Sequence, residues 1–243
     1  MRNSFFILLL VVFSACQSTK IKDNRYKVSS AAPELGSIGQ SKSLFDLQNN
    51  FEVRTLAKLE NNIRVSIEVI PFNKRLNHFY KAKEEFNQNQ SKVNYIDSLP
   101  TKPELVTIRL LDVAGFTNEL NAAYNMPVFR LLFDTQNSKI VSSIAATLSP
   151  EEITKIRQSD TYYLTNLQDK KYVISLYKLG KKTDVLDIKP ENIVAYRLST
   201  FCWALSERGQ WHIADLIEGG NSCKGNTRSR IKEKKKSKSL FDM

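Results

Sequence analysis

Apolar and polar residues alternate clearly in one segment near residue 65. Ile63, Val65, Ile67 and Val69 are separated by single polar or charged residues. Because successive side chains of a strand point to opposite faces, this pattern predicts a strand with one buried face. Other runs rich in apolar and β-branched residues predict further strands at 104–113, 127–134, 139–147, 161–166, 170–178, 193–205 and 211–217.

Helical patterns are fewer than strand patterns. Residues 74–90 are polar and charged with spaced aliphatic and aromatic residues, which predicts a helix. Ser149 can cap a second helix, Pro150 suits its first turn, and Glu152 can complete a capping box. A loop or short helix is expected around residues 115–125.

Together these elements predict an α+β fold with about eight strands and two or three helices. Hairpins dominate the second half of the chain, so a mainly antiparallel β-sheet or sandwich is the expected architecture. A polar stretch at 16–50 is typical of a flexible tether. A β-rich globular domain is expected at 51–223, and a division near residue 135 into two small domains is an open alternative.

The N-terminus has the pattern of an export sequence. A short basic start is followed by an unbroken apolar run at 5–13, and Ser14 and Ala15 then precede Cys16. The run is too short for a membrane span, which needs about 20 residues, but it suits a signal-peptide core. These residues resemble the signal peptide and lipobox of a bacterial lipoprotein. Cleavage elsewhere with Cys16 incidental, or a buried first strand, are the alternative interpretations.

The resemblance implies where the protein works. In that family the signal peptide, here residues 1–15, is removed, and Cys16 carries three acyl chains, palmitate among them, that hold the protein on a membrane. Residue 17 is Gln rather than Asp. In Gram-negative lipoproteins, a residue other than Asp at this position favours transport to the outer membrane, so the resemblance implies the outer membrane of the cell envelope. No other apolar run in the sequence approaches 18 residues, so lipid is the expected anchor.

Composition suits a folded core, and the charge is concentrated at one end. The chain is 42% hydrophobic and 10% aromatic, and its 8 glycines argue against glycine-dependent phosphate loops. Of the formal net charge of +11, residues 224–243 supply eight basic and two acidic residues. This segment is expected to be a basic, disordered tail. Its charge either serves solubility alone or binds an anionic surface, such as lipid headgroups or an acidic envelope protein.

Nucleic acid is not an expected partner of this tail. The implied location is the cell envelope, and no aromatic residue lies among the basic residues before Phe241. Sequence-tolerant nucleic-acid binding usually combines cationic side chains with aromatic stacking platforms. The basic composition therefore favours membrane or protein contacts.

The hexapeptide SKSLFD occurs twice, at 41–46 and at 237–242. Each copy joins a polar, basic entry to an apolar Leu-Phe pair. The two copies could engage two identical pockets on a partner, or one could dock on this protein's own sheet edge. A chance match favoured by the lysine and serine bias is the alternative. The expected partner-binding residues are Leu44, Phe45, Lys234, Lys235, Lys236, Leu240 and Phe241.

Two further cysteines lie in the last fifty residues of the chain. In an exported protein, Cys202 and Cys223 are most simply a disulfide. A hairpin loop at 206–210 would place Cys202 opposite Ala214. A metal site that adds His212, or two free thiols, are the alternatives, but the metal site lacks a fourth ligand and close cysteine spacing.

Known catalytic motifs are missing from the sequence. Nucleophile-elbow, zinc-protease, phosphate-loop and dinucleotide patterns are not found. The two histidines, His78 and His212, are far apart in the sequence, and paired carboxylates fall in helical stretches. No catalytic residue, metal ion or cofactor is therefore expected.

Three functions are compatible with these patterns. The favoured hypothesis is a non-enzymatic accessory or assembly subunit of a membrane protein complex. The first alternative is a small-molecule or glycan-binding lipoprotein, and the second is an envelope hydrolase without a recognisable motif. The ligand-binding alternative expects a pocket among Tyr162, Tyr163, Tyr172, Trp203 and Trp211.

Overall fold

The computed structural model describes residues 18–28, 33–41, 51–84, 93–98, 100–135, 137–168, 171–219 and 221–231. The predicted signal peptide and Cys16 lie outside these ranges, so the lipoprotein assignment stays a prediction. Within the ranges, no helix combines the length and the apolar character that crossing a membrane requires.

The described residues form twelve strands, four α-helices and two short 3-10 helices. The strands are β1 (Ser18–Ile21), β2 (Asn24–Lys27), β3 (Ile38–Ser41), β4 (Phe51–Thr55), β5 (Ile63–Pro71), β6 (Glu104–Leu110), β7 (Lys139–Ala146), β8 (Thr161–Gln168), β9 (Lys171–Lys178), β10 (Lys181–Leu186), β11 (Ile193–Leu205) and β12 (Trp211–Glu218). The α-helices are α1 (Lys74–Glu84), α2 (Val113–Asn121), α3 (Met126–Asp134) and α4 (Pro150–Gln158), and the 3-10 helices are Ala123–Asn125 and Pro190–Asn192.

Every strand pairing in the described residues is antiparallel. The strands follow the order β1-β2-β11-β7-β6-β5-β8-β9-β10, with β12 beside β11 and the β3–β4 pair joined to β7. An α+β fold with a mainly antiparallel, open sheet is therefore confirmed. The described part has four α-helices rather than the predicted two or three, and strands on both sides of residue 135 belong to the same sheet.

Strand β11 connects the centre of the sheet to its C-terminal hairpin. It has 13 residues; its first part pairs with β7 and its last part with β12. The pairing shifts by one residue at two places against β7 and at one place against β12. The extra residue lies in β11 at Val194, in β7 at Ser142 and in β12 at Ala214. Bulges of this kind increase the local twist of paired strands, and β11 remains paired with both parts of the sheet.

Buried side chains form two clusters on opposite faces of the sheet. On β6, for example, Leu105 belongs to the smaller cluster and its neighbour Val106 to the larger one. Successive side chains of a strand point to opposite faces, so the clusters are separated by the sheet. The smaller cluster includes Leu76 and Tyr80 of α1.

Helix α3 lies where the apolar run at 127–134 predicted a strand. A continuous apolar run does not distinguish a strand from a helix by periodicity alone. Pro127 falls in the first turn of the helix, where its missing N–H costs nothing. The loop or short helix expected at 115–125 is largely α2, whose cap Asp112 accepts a hydrogen bond from the Gly115 N–H (Oδ1 to N, 2.8 Å).

Part of the predicted tether belongs to the sheet. Strands β1, β2 and β3 lie within 16–50, and Ile21, Tyr26 and Ile38 are buried. Ile38 pairs with Ile140 of β7. The apolar residues of this segment are widely spaced in a polar sequence, so no strand pattern is evident there. The described residues of the segment are folded, which corrects the tether assignment for them.

Candidate functional site

The C-terminal hairpin has the predicted register next to its loop. Leu205 of β11 lies opposite Trp211 of β12, as expected. A bulge then places Cys202 opposite Asp215, so the predicted pairing with Ala214 is wrong. The extra residue lies in β12 and could not be inferred from alternation alone.

Cys202 and Cys223 form a disulfide, which confirms the predicted pair. Their Cα atoms are 5.7 Å apart, and Cys202 is fully buried. Because the bridge uses both sulfur atoms, the alternative metal site with His212 has lost two of its three ligands. The bridge fastens the chain that follows β12 to β11.

Residues 224–231 continue from the disulfide along β11. The Trp203 N–H donates to the Arg228 carbonyl (N to O, 2.7 Å), and the Arg228 N–H donates back to the Trp203 carbonyl (2.8 Å). Ile231 packs against the larger core cluster. These residues, predicted to be disordered tail, therefore lie on the domain, and they carry three cationic residues and no acidic one.

Three aromatic rings meet where this segment crosses β11. Trp203 is buried, and its ring contacts Phe129 (centroids 5.5 Å apart) and Phe133 (6.2 Å apart) edge to face. Phe129 and Phe133 of α3 stack at 6.3 Å. Edge-to-face and offset contacts of this kind stabilise aromatic clusters, so α3 is attached to β11 by its aromatic side chains.

Helix α3 leaves much of its apolar surface uncovered. Seven of its nine residues are apolar, yet Leu132 alone among them is fully buried. Met126 and Phe133 are each 39% exposed. Residues three or four positions apart share one helix face, so Met126, Phe129, Arg130 and Phe133 form one surface, called here the α3 face.

A cavity of about 150 Å³ lies beside the α3 face. It is bounded by the end of α3, the turn into β7, β11 and the C-terminal segment. Its lining residues are Leu132, Phe133, Asp134, Thr135, Asn137, Ser138, Phe201, Trp203, Ser229, Arg230 and Ile231. The cavity is lined by both polar and apolar residues, and its volume is below the roughly 300–1,000 Å³ that small-molecule sites usually measure. This cavity suits one large side chain.

A buried amide fixes the start of α3. Asn125 Oδ1 accepts a hydrogen bond from the Lys58 N–H (2.8 Å). Asn125 Nδ2 donates to the carbonyls of Lys58 (2.7 Å) and Glu119 (2.8 Å). Buried polar groups that are fully hydrogen-bonded hold a local structure rigidly. The helix that presents the α3 face is therefore firmly attached at its N-cap.

A buried carboxylate supports the same junction. Glu119 is only 3% exposed, and its carboxylate accepts hydrogen bonds from the Glu60 N–H (2.6 Å), the Asn61 amide (2.7 Å) and the Tyr124 hydroxyl (2.8 Å). Burial, followed by the hydrogen bond to Glu119, raises the pKa of Tyr124 to about 12. Sequence reasoning missed Glu119. Because it accepts hydrogen bonds from three separate donors, Glu119 holds this junction together.

The tyrosines and tryptophans proposed for a ligand pocket are dispersed in the structure. The Tyr162 hydroxyl donates to the Ile156 carbonyl (2.9 Å) at the end of α4, and the Tyr172 hydroxyl donates to the Ala57 carbonyl. The cavity beside Tyr172 measures about 20 Å³, close to the room that one water needs. Trp203 lines the separate cavity beside α3. The structure does not bring these residues together.

The residues predicted to bind a partner cannot be placed in the site. The described residues do not include Leu44, Phe45, Lys234, Lys235, Lys236, Leu240 or Phe241. The described chain ends at Ile231, which itself lines the cavity. In the sequence, the lysine run at 234–236 begins three residues after Ile231.

Comparisons with known proteins add no family to this description. No protein-family model matches the chain, and a search of curated proteins returned no match.

Proposed function

We propose that this protein is a membrane-anchored envelope lipoprotein that serves as a non-enzymatic accessory or assembly subunit of a membrane protein complex. The supporting observation is the cationic segment 224–231, which a disulfide and a backbone bridge hold beside the incompletely buried helix α3. Cationic and aromatic residues around an apolar patch are typical of protein interfaces.

In this proposal the N-terminal and C-terminal regions of the chain have different functions. Cys16 carries the lipid that holds the protein on the envelope membrane, with the outer membrane as the proposed location. The C-terminal residues contact an envelope protein or another anionic surface. Opposite charges would speed the encounter and select the partner.

The ligand-binding alternative has less support than the assembly proposal. Its candidate aromatic residues are spread over separate parts of the sheet, and the cavity that Trp203 lines, at about 150 Å³, is below the usual size of a metabolite site. Among the described residues, the buried Glu119 gives the hydrolase alternative no support, because its carboxylate accepts three structural hydrogen bonds.

The assembly proposal is tested by crosslinking the lipidated protein in its membrane and purifying it in mild detergent. The full-length chain is compared with a chain that ends at Ile231, which keeps the Trp203–Arg228 bridge intact. A stable partner that is captured by the full-length chain and reduced by the truncation supports the proposal. Purification of both forms alone would overturn it.

The anchor is tested separately by a Cys16→Ser variant. If Cys16 is lipidated, the variant loses incorporation of labelled palmitate and leaves the membrane fraction, because one myristoyl-like chain or none gives only weak, reversible attachment. Unchanged fractionation and labelling would contradict the lipoprotein assignment without bearing on the C-terminal contacts.

A further inference from the structure

Helix α3 leaves apolar side chains exposed beside a cavity. A nine-residue helix at a protein surface normally turns its apolar residues inward and its polar residues outward. Helix α3 instead exposes Met126 and Phe133 to 39% each, while Leu132 and the half-buried Val128 and Phe129 pack against the core. These residues adjoin a cavity sized for one side chain. Exposed apolar surface next to a cavity is characteristic of binding sites.

The charges around this surface are mostly positive. Arg130 lies exposed within the α3 face, and Arg228 and Arg230 lie exposed on the segment that crosses β11. Arg230 also lines the cavity, opposite one acidic neighbour, Asp134. An occupant with carboxylates beside a large apolar side chain would match both properties.

We propose that the α3 face and its cavity bind an acidic segment of a protein partner, with one Leu, Phe or Met side chain of that segment inside the cavity. Carboxylates of the segment pair with Arg130, Arg228 and Arg230. This inference rests on the proposed assembly function and names the site and the chemistry of its partner.

Charge argues against two other occupants of the same surface. Residues 232–243 contain five lysines and two acidic residues, so this tail would bring like charges to the three arginines. A second copy of the chain, bound symmetrically, would oppose one cationic surface to another. Like charges brought together at an interface disfavour binding. An acidic partner segment avoids both penalties.

The test places a photoreactive phenylalanine analogue at position 133 of the full-length protein in its own membrane. The analogue keeps an aromatic ring against Trp203, and a second insertion at Met126 samples the same face. Insertion at Leu179, which is 86% exposed on the β9–β10 turn, is the control. After illumination, mass spectrometry identifies the crosslinked segment. We expect adducts at 133 and 126, not at 179, with an acidic segment that contains a large apolar residue.

Charge reversal tests the role of the arginines. Arg230→Glu should lower the adduct yield at position 133 roughly fivefold, because it removes an attractive contact and adds a repulsive one. Arg208→Glu changes the net charge equally but lies in the β11–β12 loop, so its adduct yield should stay the same. Equal effects of the two variants would show that overall charge, not this surface, matters. Unchanged thermal unfolding confirms that each variant is folded.

Every other crosslinking result overturns the inference. Adducts with residues 232–243, with a second copy of the chain or with lipid would each identify a different occupant, and a lack of adducts at both positions would show an unoccupied surface. If adducts are missing while the membrane pull-down still yields a tail-dependent partner, the assembly proposal stands and the docking site is wrong. If the pull-down fails as well, both fail.

Discussion

Helices α3 and α4 are each nine residues long but use their apolar residues differently. Helix α4 has two isoleucines, Ile153 and Ile156, and buries both, while its charged residues point outward. Helix α3 has seven apolar residues and buries only Leu132 fully. Packing accounts for the apolar residues of α4, whereas it leaves Met126 and Phe133 of α3 each 39% exposed.

The difference between α3 and α4 shows which exposed apolar residues are not accounted for by the stability of the fold. Single exposed apolar residues are normal in soluble proteins, but a contiguous group beside a cavity usually marks an interface. The group on α3 is also held in place by a satisfied buried network at Asn125 and Glu119. A rigid helix that displays apolar side chains suits recognition, because little ordering is needed on binding.

The largest expected effect concerns Leu132, the one fully buried apolar residue of α3. Leu132→Ala should lower the free energy of unfolding by about 3 kcal/mol, because it removes a nearly fully buried side chain and leaves a cavity. Urea unfolding followed by tryptophan fluorescence measures the loss. Leu179→Ala, at a residue 86% exposed, is the control and should change little. A loss below about 1 kcal/mol for Leu132→Ala would remove the basis of the comparison.

A second prediction concerns the cap of α4. The Ser149 hydroxyl accepts a hydrogen bond from the Glu152 N–H (3.2 Å), and the Glu152 carboxylate accepts one from the Ser149 N–H (2.8 Å). Ser149→Ala should cost about 1 kcal/mol of unfolding free energy in urea. Ser98→Ala, at an exposed serine outside the helices, should be neutral. Equal losses for both would mean that the cap does not stabilise α4.

The third prediction separates stability from binding on α3. Met126→Gln should change the unfolding free energy by no more than about 0.5 kcal/mol, because the side chain is already partly in water. The same variant should clearly reduce partner capture in the membrane pull-down. Ile153→Gln on α4 is the counterpart and should be strongly destabilising, because it buries an amide without partners. Strong destabilisation by Met126→Gln would show that its side chain is needed for packing.

The smallest effect concerns the ion pair that joins α4 to β10. The hydrogen bond from Lys155 to Asp184 (Nζ to Oδ2, 2.8 Å) lowers the pKa of the Asp184 carboxyl. A carboxyl whose pKa is lower in the folded state stabilises the fold above its unfolded pKa of about 4, and this stabilisation is lost as the pH falls through the folded pKa.

Asp184→Asn should therefore lower the melting temperature slightly at pH 6 and not at pH 2. Thermal unfolding at both pH values measures the difference. Asp134→Asn, on α3, is the matched control. An effect of Asp184→Asn that is the same at both pH values would show that the charge of Asp184 is not its cause.

Structural features that depend on residues close together in the chain could be predicted from the sequence. The capping box at Ser149 contains its two partners within four residues, and both hydrogen bonds form. The disulfide followed from the export context and from two available cysteines, and the hairpin register followed from the loop length at Leu205 and Trp211.

The remaining features depend on distant parts of the chain. The apolar run at 127–134 is compatible with either a strand or a helix. The contact of Phe129 with Trp203 and the hydrogen bonds of Asn125 stabilise the helix. Glu119 falls on the same helical face as the buried Phe116 and Leu120. This position on the helix was the one signal in the sequence that the Glu119 side chain is buried. The Glu60 and Asn61 groups that donate hydrogen bonds to Glu119 lie far away in the sequence. The docking surface could not be inferred without these contacts.

The disulfide and the Trp203–Arg228 bridge fix the position of Ile231, after which the basic tail continues. The lysine run at 234–236 begins three residues later in the sequence, and an extended chain of three residues reaches at most about 11 Å. Acidic groups that this run engages must therefore lie close to Ile231 and the cavity that it lines. A partner caught by the tail is confined to a small volume around the helix, which raises its effective concentration there.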